Sequence, residues 1–158
     1  MGGRIAVPRP ERAAVAVPAT KPPEPAAKRR VLFVCIGNSC RSQMAEAFAR
    51  AYGSDVIDPH SAGVSPAAMI APLTKQVLSE KNLHIDGHFP KGLDMVSRYP
   101  FDVIVNMSGT RLSIPGAHVI DWTVQDPIGL HEEVYRTVAA QIEGLVMRLI
   151  LELRSSPR

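Results

Sequence analysis

The chain contains the stretch Val31-Leu32-Phe33-Val34-Cys35-Ile36-Gly37-Asn38-Ser39-Cys40-Arg41-Ser42, in which an apolar run ends in a short polar loop. The run is typical of a buried strand, and the residues from Arg41 onward have the spacing of an amphipathic helix. Gly37 lets the backbone turn sharply between the two elements. A loop that opens into a helix presents backbone N–H groups to an anion. The stretch therefore predicts a tetrahedral oxyanion site with a cysteine thiol beside it.

The residues from Arg30 onward alternate short β-branched runs with longer helical patterns, which is typical of a parallel sheet covered on both faces. We predict strands near 30–35, 56–61, 101–107 and 117–122. We predict helices near 41–52, from Pro72 to about Asn82, over 92–98, and from Leu130 to about Leu153. The expected fold class is α/β, a doubly wound four-stranded parallel sheet with helices on both faces. Such sheets bind ligands beyond the carboxyl ends of their strands, where the strand order reverses, and the loop after the first strand lies there.

Length and composition fit one folded domain, since 46% of the 158 residues are apolar and 21% are charged. We predict a disordered Pro/Ala-rich leader over 1–29, the folded domain over 30–154 and a tail over 155–158. The formal net charge is +3, but residues 1–30 hold seven Lys and Arg against two Glu. The folded part is therefore about neutral or slightly acidic, and no nucleic-acid partner is expected.

Both cysteines of the chain, Cys35 and Cys40, lie in the loop, so they cannot join distant segments as a disulfide framework. A reducing, cytoplasmic setting is expected. No apolar run approaches the ~18–20 residues that span a bilayer, so no membrane partner is expected. The histidines lack metal-ligand spacing, and neither a metal nor a cofactor is predicted.

The loop has the side chains that phosphoryl chemistry needs. A thiol becomes a nucleophile when it ionises, and a nearby cation and a helix N-terminus favour the thiolate. Arg41 can direct two N–H groups onto two anion oxygens, and Ser42 can donate to the sulfur of Cys35. A leaving group also needs a proton, and Asp126 of Asp126-Pro127 is the candidate acid. Taken alone these patterns are loose, because Cys35 could be a small apolar residue and Asp58-Pro59 repeats the same two letters.

Three segments resemble the low-molecular-weight protein tyrosine phosphatase family, whose fold the thioredoxin-coupled arsenate reductases share. They are the segment 34–42, Ser61-Ala62-Gly63 after the second strand, and Asp126-Pro127 before the last helix. The resemblance extends over about residues 30–153. It implies an enzyme with this α/β fold.

The resemblance also implies roles for single residues. Cys35 would be the nucleophile that forms a phosphocysteine, Arg41 the anion clamp, Ser42 the stabiliser of the thiolate, and Asp126 the general acid and then the general base. Cys40 matches a second loop cysteine that can form a protective disulfide with the first, or is simply a small buried residue. The implied oxyanion-binding loop consists of Ile36, Gly37, Asn38, Ser39, Cys40 and Arg41.

Departures from the family pattern bear on the reaction. Tyrosine phosphatases of this family usually carry aromatic residues after the Asp-Pro, whereas this chain has Ile128 and Gly129. Gln43 after the serine is common in the reductases. Those reductases relay oxidation through two further cysteines after the third strand, and residues 105–115 contain none.

We therefore predict a hydrolase of phosphomonoesters, with phosphotyrosine as one candidate, that acts through a phosphocysteine. The alternative is an arsenate reductase that uses an external thiol or redoxin in place of an internal three-cysteine relay. The partner would be a phosphorylated protein or small phosphate ester in the first case, and arsenate with a thiol reductant in the second.

Two weaker similarities concern residues that would surround the loop asparagine, Asn38. Asn38, Glu46 and Ser61 match positions that lie around a potassium ion in some reductases, although Glu46 could equally be a carboxylate on a helix surface. His88 resembles a histidine that braces the loop asparagine.

Overall fold

A computed structural model describes residues 27–156. Most of the predicted leader, residues 1–26, and the last two residues of the predicted tail lie outside the described part. The elements in chain order are β1 (Arg29–Cys35), α1 (Arg41–Tyr52), β2 (Ile57–Gly63), α2 (Pro72–Glu80), α3 (Leu93–Val96), β3 (Val103–Asn106), β4 (His118–Asp121) and α4 (Glu132–Ser155).

All eight elements follow the predicted order, and their ends differ from the prediction by a few residues. Strand β2 continues to Gly63 because that residue still pairs with Cys35 of β1. Helix α4 begins at Glu132, not at Leu130. The helix begins later because residues 127–130 form a turn, in which the amide of Leu130 donates to the carbonyl of Pro127 at 2.9 Å and Gly129 adopts a φ of 81°.

The sheet has the strand order β2-β1-β3-β4, and every neighbouring pair is parallel. The chain runs from β1 out to β2 and then returns to the other side of β1 at β3, so the order reverses between β1 and β3. Ligands of doubly wound sheets bind at this reversal. The expected fold class is confirmed, and the carboxyl end of β1 carries Cys35 to the crevice.

Both faces of the sheet are covered, because side chains of a strand point alternately to either face. Val31 and Phe33 of β1 belong to a large apolar cluster that includes Phe48 of α1 and Ile142 of α4. The opposite face is smaller: Leu32 and Val34 pack with Val96 of α3, and residues of the segment between β3 and β4 complete this cover. No helix within residues 27–156 has the length and apolar character needed to cross a membrane.

Candidate active site

Residues 36–40 connect the end of β1 to the start of α1, and the segment 64–71 fixes the direction of their peptide groups. The amides of Val64, Ser65 and Ala67 donate to the carbonyls of Cys35, Ile36 and Gly37 at 3.1, 2.9 and 2.9 Å. The amide of Ala71 donates likewise to the carbonyl of Ser39 at 3.1 Å. In a trans peptide the next N–H points opposite to the carbonyl. The amides of residues 36, 37, 38 and 40 therefore point away from this segment and toward one side of the loop.

The N-terminus of α1 adds further donors to the same loop. No side chain caps this helix, and its first turn contains no acidic residue. The first amides of an α-helix have no intrahelical acceptor, and the helix dipole is positive at this end. Together with the loop amides they can hold an oxyanion.

Gly63 allows the close approach of β2 to the loop. A Cβ atom at this position would lie 2.6 Å from the carbonyl oxygen of Ile36 and 2.8 Å from the backbone nitrogen of Asn38. Both contacts are with backbone, which cannot rotate aside. The Ser61-Ala62-Gly63 segment thus contributes directly to the packing of the loop.

Asn38 holds the loop from within. Its φ is 51°, in the left-handed region that asparagine tolerates better than most residues, and it is fully buried. Its Oδ1 accepts hydrogen bonds from Nε2 of Gln43 at 3.0 Å and from the amide of Lys91 at 2.8 Å. Its Nδ2 donates to Oγ of Ser42 at 2.7 Å. Every polar atom of the side chain therefore has a partner.

Ser42 lies between Asn38 and Cys35. Its Oγ is 2.9 Å from Sγ of Cys35, and either atom could be the donor of that contact. Because Oγ already accepts from Asn38, its own hydrogen is available to point at the sulfur. This arrangement suits a thiolate, which can only accept.

Arg41 is buried, with 5% of its surface exposed, and it is held in place by main-chain oxygens. Its Nη1 donates to the carbonyls of Met107 at 2.6 Å and Val124 at 3.1 Å. These acceptors follow β3 and β4, so Arg41 links the loop to the carboxyl ends of those two strands. Its Nη2 lies 3.5 Å from Oδ2 of Asp126.

Asp126 lies in the connection between β4 and α4. Its Oδ1 accepts a hydrogen bond from the amide of Ile128 at 3.1 Å, and 42% of its side chain is exposed. The carboxylate therefore faces the guanidinium of Arg41 and remains in reach of water. The structure thus brings Cys35, Arg41, Ser42 and Asp126 to one site.

Cys40 differs from Cys35 in its surroundings. It is 2% exposed, and its burial raises the pKa of its thiol to about 12, although a hydrogen bond with Thr74 works in the opposite direction. Negative charges at Cys35 and Asp126 raise this pKa further. Near neutral pH Cys40 is therefore a protonated thiol.

Gln43 contacts Asn38 directly, and His88 contacts Gln43 in turn. The side chain of Gln43 is fully buried, and its Oε1 lies 3.0 Å from Nδ1 of His88. Because an amide oxygen only accepts, Nδ1 of His88 carries the hydrogen in this contact. Burial lowers the pKa of His88, against the opposing charge of Glu46. The predicted brace between His88 and the loop asparagine is therefore indirect and passes through Gln43.

A cavity of about 550 Å³ adjoins Arg41 beyond the ends of β3 and β4. Its lining includes Asn106, Arg111 and Trp122, which the sequence reasoning did not select. Asn106 and Asp121 end their strands and face each other in register, and Nδ2 of Asn106 donates to Oδ1 of Asp121 at 3.0 Å. Polar residues at the ends of two adjacent parallel strands are the signal that could have located this cavity.

Comparison with known proteins places this chain in a family. A family model described as low molecular weight phosphotyrosine protein phosphatase matches residues 30–157. The chain belongs to the low molecular weight phosphotyrosine protein phosphatase family.

Named relatives in this phosphatase family include reductases. The chain is 32% identical over 130 residues to a glutaredoxin arsenate reductase of Synechocystis sp., a match that covers 79% of this chain and 98% of the relative. A solved structure of an arsenate reductase in the phosphate-binding state has a TM-score of 0.72 and 32% identity, with 79% and 98% of the two chains covered. A low molecular weight protein tyrosine phosphatase from T. tengcongensis has a TM-score of 0.68 and 28% identity, with 79% and 99% covered.

In this low molecular weight phosphotyrosine protein phosphatase family member, the two residues after Asp126-Pro127 are not aromatic. They are Ile128, with 48% of its surface exposed, and Gly129, at the positions where the resemblance to the tyrosine phosphatases predicts aromatic residues. Of the two cysteines of the chain, Cys35 ends β1 and Cys40 ends the loop that follows, and both are free thiols.

Proposed function

We propose that the protein is an arsenate reductase in which Cys35 is the nucleophile and an external thiol or redoxin is the reductant. The observation that carries the proposal is the rim after Asp126, where Ile128 and Gly129 provide no aromatic wall for an aryl ester. A small oxyanion needs no such wall. The relatives named above are mainly arsenate reductases. They support arsenate reduction over phosphomonoester hydrolysis, which the sequence alone favoured.

Oxyanion binding in this proposal uses the loop amides and Arg41. The amides of the loop and of the first turn of α1 surround the arsenate oxygens, and the guanidinium of Arg41 neutralises their charge. Since carbonyls of Met107 and Val124 already hold Nη1, the guanidinium is oriented before the anion arrives. Orientation in advance lowers the cost of binding.

The first step joins sulfur to arsenic. The thiolate of Cys35, with Ser42 donating to it, attacks arsenic(V), and one arsenic–oxygen bond breaks. Asp126 gives its proton to the departing oxygen, which leaves as water. The product is a Cys35–arsenic(V) thioester with no change in oxidation state.

The second step is the reduction. An external thiolate attacks the sulfur of Cys35, and the electron pair of the sulfur–arsenic bond passes to arsenic, which leaves as arsenite. Arsenic(V) is reduced to arsenic(III), and the two sulfurs are oxidised to a mixed disulfide. A second external thiol then releases Cys35 and forms the disulfide of the reductant.

The reductant is external because no other described thiol is suited to attack. Cys40 stays protonated near neutral pH, as burial raises the pKa of its thiol to about 12, and a thiol is a far weaker nucleophile than a thiolate. Residues 105–115 contain no cysteine. The mixed disulfide must therefore be resolved by a second molecule.

Hydrolysis of a phosphomonoester is the second candidate, and Asp126 suits this reaction as well. A carboxyl group beside Arg41 that remains in contact with water can protonate a leaving alkoxide and then activate water against a phosphocysteine. The tyrosine phosphatase from T. tengcongensis among the similar structures supports it as well.

One parallel assay separates the two candidates. The purified protein is supplied with arsenate and either glutathione with glutaredoxin or thioredoxin with its reductase, while arsenite and NADPH oxidation are measured; p-nitrophenyl phosphate is assayed beside it. We expect arsenite formation that Cys35→Ser abolishes and Cys40→Ser retains. Release of p-nitrophenol without any arsenite would reject the first candidate in favour of the second, and turnover by Cys35→Ser would reject both.

A further inference from the structure

We propose that the guanidinium of Arg50 is a built-in counter-ion of the buried Glu46, in the place where some reductases of this fold hold a potassium ion, and that it positions the oxyanion loop from behind. The inference rests on the proposed function only in that the loop binds an oxyanion. Arg50 is a positioning residue in this proposal, because it touches neither the anion nor Cys35.

Glu46 is a buried carboxylate on α1 with donors at both oxygens. Its side chain is 6% exposed. Oγ of Ser61 donates to Oε1 at 2.7 Å, and Nη2 of Arg50 donates to Oε2 at 3.2 Å. A buried charge without a partner is strongly unfavourable, so Glu46 needs a cation in this position.

Arg50 is well placed to be that cation. It lies one helical turn after Glu46, a spacing that brings the two side chains together. The same Nη2 also lies 3.2 Å from the carbonyl of Pro59, so the guanidinium spans α1 and β2. A charge tethered four residues away has a high effective concentration compared with a free ion.

Two of the oxygens that would coordinate potassium already face other partners. Oδ1 of Asn38 accepts two hydrogen bonds, from Gln43 and from the amide of Lys91. Oε2 of Glu46 faces Arg50 and lies 3.5 Å from Nδ1 of His88. Hard cations require oxygen lone pairs that are free to coordinate. Because Oδ1 of Asn38 already accepts two hydrogen bonds and Oε2 of Glu46 faces Arg50, the residues matched to a potassium site are a poor fit for the ion here.

The local charge also disfavours a second cation. Burial lowers the pKa of Lys91, and the charge of Arg50 acts in the same direction, although the charge of Glu46 opposes both. Lys91 is therefore a second basic group near Glu46, in addition to Arg50, which pairs with it directly. A potassium ion would add a further positive charge beside these two basic side chains.

The ion pair reaches the oxyanion loop through a short series of contacts. Glu46 lies 3.5 Å from His88, His88 contacts Oε1 of Gln43, and Gln43 donates to Asn38. Asn38 shapes the loop and donates to Ser42. When Arg50 is removed, an unpaired Glu46 attracts His88 and Lys91, and the segment that carries them shifts relative to the loop.

The experiment measures binding of inorganic phosphate by calorimetry, which needs no turnover. Wild type, Arg50→Gln and Arg50→Lys are compared in KCl and in NaCl of equal ionic strength. Arg154→Gln is the matched control, since Arg154 lies near the end of α4 and its ion pair with Asp55 is exposed. We expect the wild-type Kd to agree between the two salts within about twofold, and Arg50→Gln to bind phosphate about fivefold or more weakly in NaCl. Arg50→Lys and Arg154→Gln should stay within about twofold of wild type.

Two results would overturn the inference. The first is wild-type binding about threefold or more tighter in KCl than in NaCl, which would mean that a potassium ion takes part. The second is an Arg50→Gln protein that binds phosphate like wild type. If Arg50→Gln does not fold, the wild-type salt comparison and Arg50→Lys decide. An absence of arsenate reduction with unchanged phosphate binding would reject the proposed function and leave this inference intact.

Discussion

The side-chain amide of Asn38 donates a hydrogen bond of 2.7 Å to the hydroxyl of Ser42, and that hydroxyl lies 2.9 Å from the sulfur of Cys35. The first contact determines which group donates in the second. Asn38 can only donate through Nδ2, so Ser42 accepts there and donates to a thiolate. In the mechanism that we propose, Ser42 therefore stabilises the thiolate of Cys35 and Asn38 orients Ser42.

Replacement of Ser42 by alanine removes the donor to the Cys35 sulfur. We expect turnover to fall about tenfold to a hundredfold, and alkylation of Cys35 by iodoacetamide at pH 7 to slow, because the thiolate loses a hydrogen bond. The exposed Ser113→Ala is the control. Alkylation of Ser42→Ala at the wild-type rate would mean that the hydroxyl plays no part in stabilising the thiolate.

Replacement of Asp126 by asparagine removes the proposed acid and keeps the shape of the side chain. Among aryl phosphates, phenyl phosphate has a poor leaving group and should lose about a hundredfold or more in kcat, whereas p-nitrophenyl phosphate should lose much less. Asp58→Asn is the matched control, because Asp58 on β2 also precedes a proline but pairs with Arg30 of β1. Equal losses for both esters would exclude Asp126 as the acid.

Two glycine-to-alanine substitutions should change stability in opposite directions. At Gly63 a Cβ atom would meet the backbone of Ile36 and Asn38, so we expect a loss of about 1–3 kcal/mol and weaker phosphate binding. At Gly144, inside α4 and with open space around it, alanine should stabilise the protein by about 0.5–1 kcal/mol. Urea unfolding measures both. A Gly63→Ala protein as stable as wild type would contradict the close approach of β2 to the loop.

The Cys40 thiol should make the stability depend on alkaline pH. Burial raises its pKa from 9.0 to about 12, so the folded state keeps the proton at pH values where the unfolded chain has lost it. The stability from this group is present below about pH 9 and declines between about 9 and 12, by about 1.4 kcal/mol per pH unit. We expect Cys40→Ala to remove this contribution. The measurement is urea unfolding of wild type and variant at pH 8 to 10.5. Subtracting the free energy of unfolding of the variant from that of wild type cancels the titration of tyrosine and lysine, which both proteins share. A difference that stays constant over this range would contradict the raised pKa.

Much of the fold was predictable from sequence, because the spacing of apolar residues and the Gly and Pro residues that end helices and strands are properties of short segments. The run at 31–34 and the loop after it located Cys35 at a strand end, and Ser61-Ala62-Gly63 indicated the neighbouring strand. The strand ends were less accurate, as at Gly63, because they depend on which residue of another strand lies opposite. Periodicity in one segment carries no information about that partner.

Several contacts of the site were not predictable, since their partners are backbone atoms. The two carbonyls that hold Arg41 belong to Met107 and Val124, whose side chains say nothing about that function. The carbonyl orientation of the loop depends on the amides of residues 64–71 in the same way. The indirect brace of His88 through Gln43 also required the two segments to be placed in space before it could be recognised.

Strand β1 has a paired neighbour on each side, and this has a consequence for the dynamics of the nucleophile. Amides in a central strand exchange with solvent mainly through global unfolding, whereas an edge strand such as β4 opens locally. We therefore expect the sulfur of Cys35 to be attached to one of the last parts of the molecule to open. The segments that follow β3 and β4 line the cavity beside Arg41 and can vary while the position of the sulfur stays constant. Different substrates could then be accommodated around one unchanged proposed nucleophile.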